Sequence, residues 1–290
     1  MLTDTHAHLY WEDYKQDLDE VIKRSVGAGV TTIINVGVDV EKSKEALVQV
    51  LNKDWPDNLQ VYSTIGIHPH EAVKFSFKNN ESRIELEDEI KKLEEIYHEN
   101  PNKVIAVGEC GLDYFFDPEF TPSTLSHDQI KNLQRQLFQA QIDLAKKINL
   151  PLIVHCRDDR SKNPNITEAW DEVLDLVDDY PTILHCYSGL SQTTNYILQT
   201  TNLIVSFAGT ITYPKNEYLR EAAKLLPLGK IVLETDCPFL PPQSERGQRN
   251  EPANVLGIAQ LIADLKEVPL EEVASQTTAN SKGILRLPSE

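Results

Sequence analysis

A strict alternation of short, apolar, β-rich runs with longer amphipathic runs is the feature that most narrows what this chain can fold into. Eight stretches read as strands: Leu2–Leu9, Thr31–Val38, Val61–His68, Val104–Leu112, Leu152–Arg157, Thr182–Tyr187, Leu203–Ala208 and Lys230–Cys237. Several are nearly continuous in apolar residues, as in Thr31-Thr32-Ile33-Ile34-Asn35-Val36. Strands covered on both faces look like this. Helical spacing marks Asp17–Ala28, Lys42–Asn52, Ile84–Tyr97, Asp128–Ile148, Ile166–Val177, Thr193–Thr200, Glu217–Leu226, Asn254–Leu265 and Leu270–Leu285. Strand and helix in such alternation imply a parallel sheet. At 290 residues a closed (β/α)8 TIM barrel fits better than an open doubly wound sheet. The nearest approach to a dinucleotide-binding turn, Val36-Gly37-Val38, lacks the GxGxxG pattern. No P-loop, short repeat or domain boundary is visible. The chain reads as α/β, a single barrel domain over residues 1–290.

Charge narrows the function classes. The chain carries 45 Asp+Glu against 28 Lys+Arg, a net charge of −17. That argues against a long nucleic-acid footprint gripped by a basic face. It leaves room for a nucleic-acid enzyme whose metal ions supply the local positive charge. No run approaches the ~18 apolar residues of a membrane span. No basic-plus-apolar targeting segment precedes the first strand. The four cysteines, Cys110, Cys156, Cys186 and Cys237, lack CxxC spacing. Reduced thiols and a cytoplasmic location are therefore expected.

The polar residues that interrupt these strands carry the chemistry. If Leu2–Leu9 is one strand, Leu2, Asp4, His6 and His8 share a face, and Thr3, Thr5, Ala7 and Leu9 the other. The third strand ends in Gly66-Ile67-His68-Pro69-His70, the fourth in Gly108-Glu109-Cys110-Gly111-Leu112-Asp113, the fifth in His155-Cys156-Arg157. The sixth ends in His185-Cys186-Tyr187-Ser188-Gly189 and the eighth in Glu234-Thr235-Asp236-Cys237-Pro238. Metal-ligand residue types thus fall repeatedly at C-terminal strand ends, where barrel enzymes build their sites. Only His98 and His127 lie elsewhere, and both read as ordinary surface residues. Each cysteine directly follows a candidate ligand, so alternation sends all four sulfurs outward, between sheet and helices.

Six candidate ligands result: His6, His8, Glu109, His155, His185 and Asp236. A single catalytic zinc needs three protein ligands and a water. Six suit two divalent ions about 3.5–4 Å apart. Glu109, with two oxygens, is the natural bridge. His6, His8 and Asp236 would form one site, and His155 with His185 the other. Mixed imidazole and carboxylate ligands do not select sharply among Zn2+, Mn2+ and Mg2+. Asp236 is also placed to take a proton from attacking water as general base. The electrophile stays open among phosphodiester, amide and ester.

Nearby cations tilt the choice. Arg157, Arg246 and Arg249 offer guanidinium forks suited to phosphate, with surface pairing to carboxylates as the competing reading. His68 could donate to a phosphate oxygen or help hold a further ion. Two loops look long, 113–126 with Pro118, Pro122, Tyr114, Phe115, Phe116 and Phe120, and 157–165. These aromatics read first as loop packing and second as base-stacking groups.

Taken together, the motifs resemble one family. They are DTHAH at 4–8, GIHPH at 66–70, GECGLDY at 108–114, QRQLFQAQIDLA at 134–145 and HCRD at 155–158. HCYSG at 185–189, ETDCPFLPP at 234–242 and RGQRNEP at 246–252 complete the set. The chain resembles the TatD-type metal-dependent deoxyribonucleases of the amidohydrolase superfamily. The resemblance implies a two-metal barrel that hydrolyses DNA phosphodiesters, as a 3′–5′ exonuclease acting at strand ends. Its ligands fall on the same six residues. The two long loops and Leu285, where an aromatic is usual, depart from the pattern. Two rivals remain. An amidohydrolase acting on a C–N or ester bond, such as an aminoacyl-tRNA deacylase, shares the His-x-His start. Such enzymes often bridge their metals through a lysine in strand four, where this chain has Glu109 and no lysine. A non-enzymatic, metal-stabilised binding protein is the other.

Overall fold

All eight strands form and pair in chain order in one parallel sheet. They are β1 (Leu2–Ala7), β2 (Val30–Asn35), β3 (Gln60–Ile65), β4 (Val104–Asp113), β5 (Leu152–Arg157), β6 (Thr182–Leu184), β7 (Leu203–Phe207) and β8 (Ile231–Leu233). The computed structural model describes residues 1–75, 80–117, 119 and 124–288. The sheet closes where Ala7 bridges Cys237. The His8 N–H donates to Cys237 O at 2.8 Å and the Asp236 N–H to His6 O at 2.9 Å. The first strand therefore lies beside the eighth, as a closed barrel requires. The helices are α1 (Leu18–Gly27), α2 (Val40–Asn52), α3 (Asn80–Glu99), α4 (His127–Ile148), α5 (Glu168–Val177), α6 (Ser191–Gln199), α7 (Glu217–Leu225), α8 (Val255–Lys266) and α9 (Leu270–Ile284). None among the described residues is long and apolar enough to cross a membrane.

Two strands stop earlier than their apolar runs suggest. Cys186 and Asp236 take left-handed backbone, with φ of 42° and 57°. A residue in that conformation cannot continue a β ladder. His185 and Asp236 thus stand just past β6 and β8, on the rim.

The core has two layers. Inside the barrel, Ile34, Val36, Tyr62, Ile105, Ala106, Ile153, Ile183 and Val232 pack with Leu285 and Leu287. This is the filled interior of a TIM barrel rather than a pore, and the C-terminal tail completes it. Leu285, 2% exposed, packs fully into this cluster. Outside, a larger layer joins sheet to helices and includes Trp170, Phe138 and Leu137, all fully buried.

Two expectations about side-chain direction need correction. Leu2, Ala7 and Leu9 all belong to the outer layer, whereas His6 and His8 face the barrel mouth. Leu2 and His6 are thus on opposite sides of the sheet. The pairing of β1 with β2 shifts register between Asp4 and Ala7, and an irregularity of this kind reverses the alternation. Cys110, Cys156 and Cys237 sit in the outer layer as expected. Cys186 does not. Its left-handed backbone lies beyond β6, and its half-buried sulfur rests 4.0 Å from Thr210 Oγ1.

Two buried glutamines of α4 brace the rim. Gln134 accepts from the Asp113 N–H and donates to Asp113 O, both at 2.9 Å. Gln141 does the same for Ile67, at 2.7 and 2.9 Å. Each amide replaces a neighbouring strand and fixes a backbone that carries site residues. Of the long loop 113–126, Pro118, Phe120 and Pro122 lie outside the described residues. Tyr114 packs inward, its hydroxyl on Glu172 Oε2 at 2.5 Å, and Phe116 packs against the outer layer.

Candidate metal centre

Seven side chains converge above the apolar floor. His6 Nε2 stands 3.2 Å from Glu109 Oε2 and 3.2 Å from His8 Nε2. Asp236 Oδ1 lies 3.4 Å from His8 Nε2 and 3.8 Å from His6 Nε2. His155 Nδ1 is 3.0 Å from Glu109 Oε1, and His185 Nε2 is 3.6 Å from the same oxygen. The His6 and His185 rings stack, with centroids 3.6 Å apart and planes 22° from parallel. His68 Nε2 joins at 3.4 Å from Glu109 Oε1.

These donors fall into three overlapping groups: His6, His8 and Asp236; His6, Glu109 and His185; His68, Glu109 and His155. Glu109 and His6 each belong to two. The expected first group assembles as read. The second divides differently: His185 gathers with His6, and His68 takes a place beside His155. The donor set fits divalent cations. Two nitrogens each about 2.0–2.1 Å from one tetrahedral ion stand about 3.4 Å apart. The spacings of 3.2, 3.4 and 3.8 Å in the first group bracket that value.

Burial and crowding set the charges. Burial pushes the Glu109 carboxyl upward, but His68, His6, His185 and the His155 hydrogen bond outweigh it and hold it well below the usual range. Burial also works against ionised Asp236, yet the bond from His8 and the nearby imidazoles keep it low. Burial drives His68 down to about 4, and burial with the neighbouring His185 lowers His6. Against burial, Asp113 and Glu109 raise His155 to about 9, and Glu234 and Glu109 raise His185 to about 10. Two carboxylates fixed as anions amid imidazoles are a ready cation site.

A further set of residues orients these donors. The carbonyl of Val36 lies 2.8 Å from His8 Nδ1, which fixes Nδ1 as the protonated nitrogen and leaves Nε2 facing the centre. Asp113 Oδ2 lies 3.1 Å from His155 Nε2 and 3.0 Å from His70 Nε2. Its other oxygen accepts the Phe115 N–H at 2.9 Å. Glu234 Oε1 faces His185 Nδ1 at 2.8 Å and accepts the Cys186 N–H at 2.7 Å. Asp4 accepts from the Thr235 hydroxyl at 2.6 Å and the Thr235 N–H at 2.9 Å. It thereby ties β1 to the segment that carries Asp236. Burial pushes the Asp4 carboxyl up to about 7.

Asp4, Asp113, Glu234, Gln134 and Gln141 were not among the residues expected from sequence. Two of them left a signal. Asp113 is four residues after Glu109 on one strand, and Glu234 is two before Asp236, so each could face the same side as a ligand.

The three arginines divide. Arg157 is exposed at the end of β5, its guanidinium 4.0 Å over the Phe115 ring. Arg246 is exposed, 4.6 Å over the Tyr213 ring. Arg249 has its fork taken: it binds both Asp17 carboxylate oxygens, at 2.8 and 2.7 Å. It pins the loop after β8 to the start of α1.

A profile described as TatD related DNase matches residues 3–286. The chain belongs to the TatD-related DNase family. An uncharacterized metal-dependent hydrolase of Bacillus subtilis, YabD, is 36% identical, over 99% of this chain and all of its own length. A TatD of Erwinia tasmaniensis, named a 3′–5′ ssDNA/RNA exonuclease, is 31% identical over 98% of this chain and 99% of its own. Among solved structures, the TatD homologue YjjV of Escherichia coli superposes with a TM-score of 0.81 at 27% identity, covering 99% of this chain and 98% of that one. A dihydroorotase from Campylobacter jejuni, TM-score 0.58 and 12% identity, shares the fold. The TatD-type assignment makes the chain a metal-dependent hydrolase.

Proposed function

We propose that this chain hydrolyses DNA phosphodiester bonds, removing nucleotides from a 3′ end, with two divalent cations held by His6, His8, Asp236, Glu109, His155 and His185, aided by His68. The overlap of three donor groups through Glu109 and His6 carries this reading. A single ion would leave half of these buried donors without a role. When bound, such ions polarise a phosphoryl oxygen and make water a better nucleophile at neutral pH.

The chain's own residues do the rest. Asp236, held as an anion on the rim, accepts the proton of the attacking water at its carboxylate. Glu109, shared by the group of His6 and His185 and the group of His68 and His155, fixes the separation of those two. Arg157, exposed at the end of β5, and Arg246, exposed in the loop after β8, offer guanidinium forks suited to phosphate oxygens. The acidic surface confines binding to the strand end, so activity should depend weakly on bulk salt. The named activity of the Erwinia relative supports the 3′-end reading.

The test is incubation of metal-loaded protein with 3′-labelled single- and double-stranded DNA, with and without chelator, beside amide and ester substrates. Chelator-sensitive release of terminal nucleotides is expected. Turnover of an amide or ester with DNA left intact would favour the amidohydrolase reading instead.

A further inference from the structure

The rim beside the His8 and Asp236 donors carries an aromatic step that the hydrolytic reading does not use. Phe239 follows Asp236 by three residues and leaves 44% of its surface exposed. Its ring lies 6.0 Å from the His8 ring and 5.8 Å from the ring of Trp11, at 66° and 79° to them. Trp11 in turn stands 5.7 Å from His8. Trp11 is half-buried against the outer core. Phe239 is the open tread of this step.

Its exposure is imposed by the backbone. The Phe239 N–H donates to Asp236 O at 2.9 Å. Asn250 is fully buried, and its side-chain amide donates to Phe239 O at 2.7 Å and to Thr235 O at 2.8 Å. The Asn250 N–H adds a third bond, to Pro238 O at 3.1 Å. A buried amide therefore holds the segment in the shape that turns an apolar ring toward solvent, one residue group away from a metal donor.

We propose that Phe239, with Trp11 at its edge, is a stacking subsite for the nucleobase next to the scissile phosphate. The inference rests on the phosphodiesterase reading and adds what that site recognises. The Phe239 ring lies 6.0 Å from the His8 ring, a separation comparable to that between a nucleotide's phosphate and its own base. Stacking tolerates any base, since every base has a π face. It also needs no positive charge, which suits a chain of net charge −17. A base inside a duplex has both faces covered by its stacked neighbours, whereas a terminal or unpaired base has a free face. The step thus selects a strand end or an unpaired base.

Two measurements test this together. The first compares cleavage of a single-stranded oligodeoxynucleotide with that of the same strand abasic at its terminal nucleotide. The wild-type protein should prefer the base-bearing end by roughly 5- to 150-fold, the range expected for one stacked base. Phe239→Ala should reduce that preference to within about 2-fold, and Phe239→Tyr should keep it. The second follows tryptophan fluorescence of chelator-treated protein titrated with the same two strands. The base-bearing strand should quench wild type and leave Trp11→Phe unchanged. Cleavage with no base preference and no quench overturns the subsite and leaves the nuclease reading standing. Quench without cleavage of either strand keeps the subsite and removes the nuclease reading. Equal loss on both strands in Phe239→Ala, with the preference intact, also overturns the subsite.

Discussion

His155 Nε2 lies 3.1 Å from Asp113 Oδ2, while the other nitrogen of the same ring lies 3.0 Å from Glu109 Oε1. One imidazole is thus held between two buried carboxylates from a single strand. Asp113 itself is locked by the Phe115 N–H and, through its backbone, by Gln134. Partners of this kind fix the orientation and basicity of a metal-binding imidazole.

Asp113→Asn should therefore weaken metal binding at the group containing His155 by roughly 10- to 100-fold. The group of His6, His8 and Asp236 should bind as before. Calorimetric titration of the metal-depleted protein resolves the two events. Equal affinity in variant and wild type would remove Asp113 from the site.

Metal removal should lower thermal stability. Ions that bind only the folded chain stabilise it by about 2.7 kcal/mol at 100 times their dissociation constant. For a chain of 290 residues that is a shift of roughly 4–5 °C in Tm for each ion. Scanning calorimetry before and after chelation measures it. His155→Ala should stay folded and keep only part of this shift on chelation, since His6, His8 and Asp236 still form a donor group, which separates a catalytic site from metal that merely holds the fold together.

Leu285 plugs the barrel floor at 2% exposure, among Ile34, Tyr62, Ile105, Ile153 and Ile183. Leu285→Ala should cost about 2–5 kcal/mol through lost burial and the cavity left behind. Metal affinity should be unchanged, because the plug lies beneath the site and touches none of its donors. Denaturant unfolding checks the first statement and metal titration the second.

Asp158 gives a pH signature away from the metal donors. Burial raises its carboxyl to about 6, despite the Ala169 N–H bonded to Oδ1 at 2.7 Å. A folded pKa above the unfolded one means that the neutral form is favoured by folding. That contribution is present below about pH 4 and is lost as pH rises to about 6. Asp158→Asn keeps the acceptor and removes the titration. Relative to wild type, the variant should gain roughly 1–3 kcal/mol between pH 4 and pH 7. A parallel pH dependence of the two unfolding curves would contradict this.

The barrel was legible in the alternation of apolar runs, and the gathering of His6, His8, Glu109, His155, His185 and Asp236 was legible in their placement at strand ends. What escaped depended on contacts between distant parts of the chain. Counting alternate residues along β1 cannot detect the register shift that parts Leu2 from His6. The grouping of His68 with His155, and of His185 with His6, depends on how far each rim segment leans inward. Arg249 looked like Arg157 in sequence, but its partner Asp17 lies 232 residues earlier. Glu234 was masked by the motif that contains it, since Asp236 already accounted for a carboxylate there.

If the rim residues of this chain hydrolyse DNA with two divalent ions bound, activity must follow metal loading. The most direct test returns metal in measured equivalents to the depleted protein while release of the terminal nucleotide from a 3′-labelled single strand is followed. The account predicts no release without metal, a rise that saturates at two equivalents, and none from Asp236→Ala at any loading. Full release in excess chelator, or from Asp236→Ala, would contradict it.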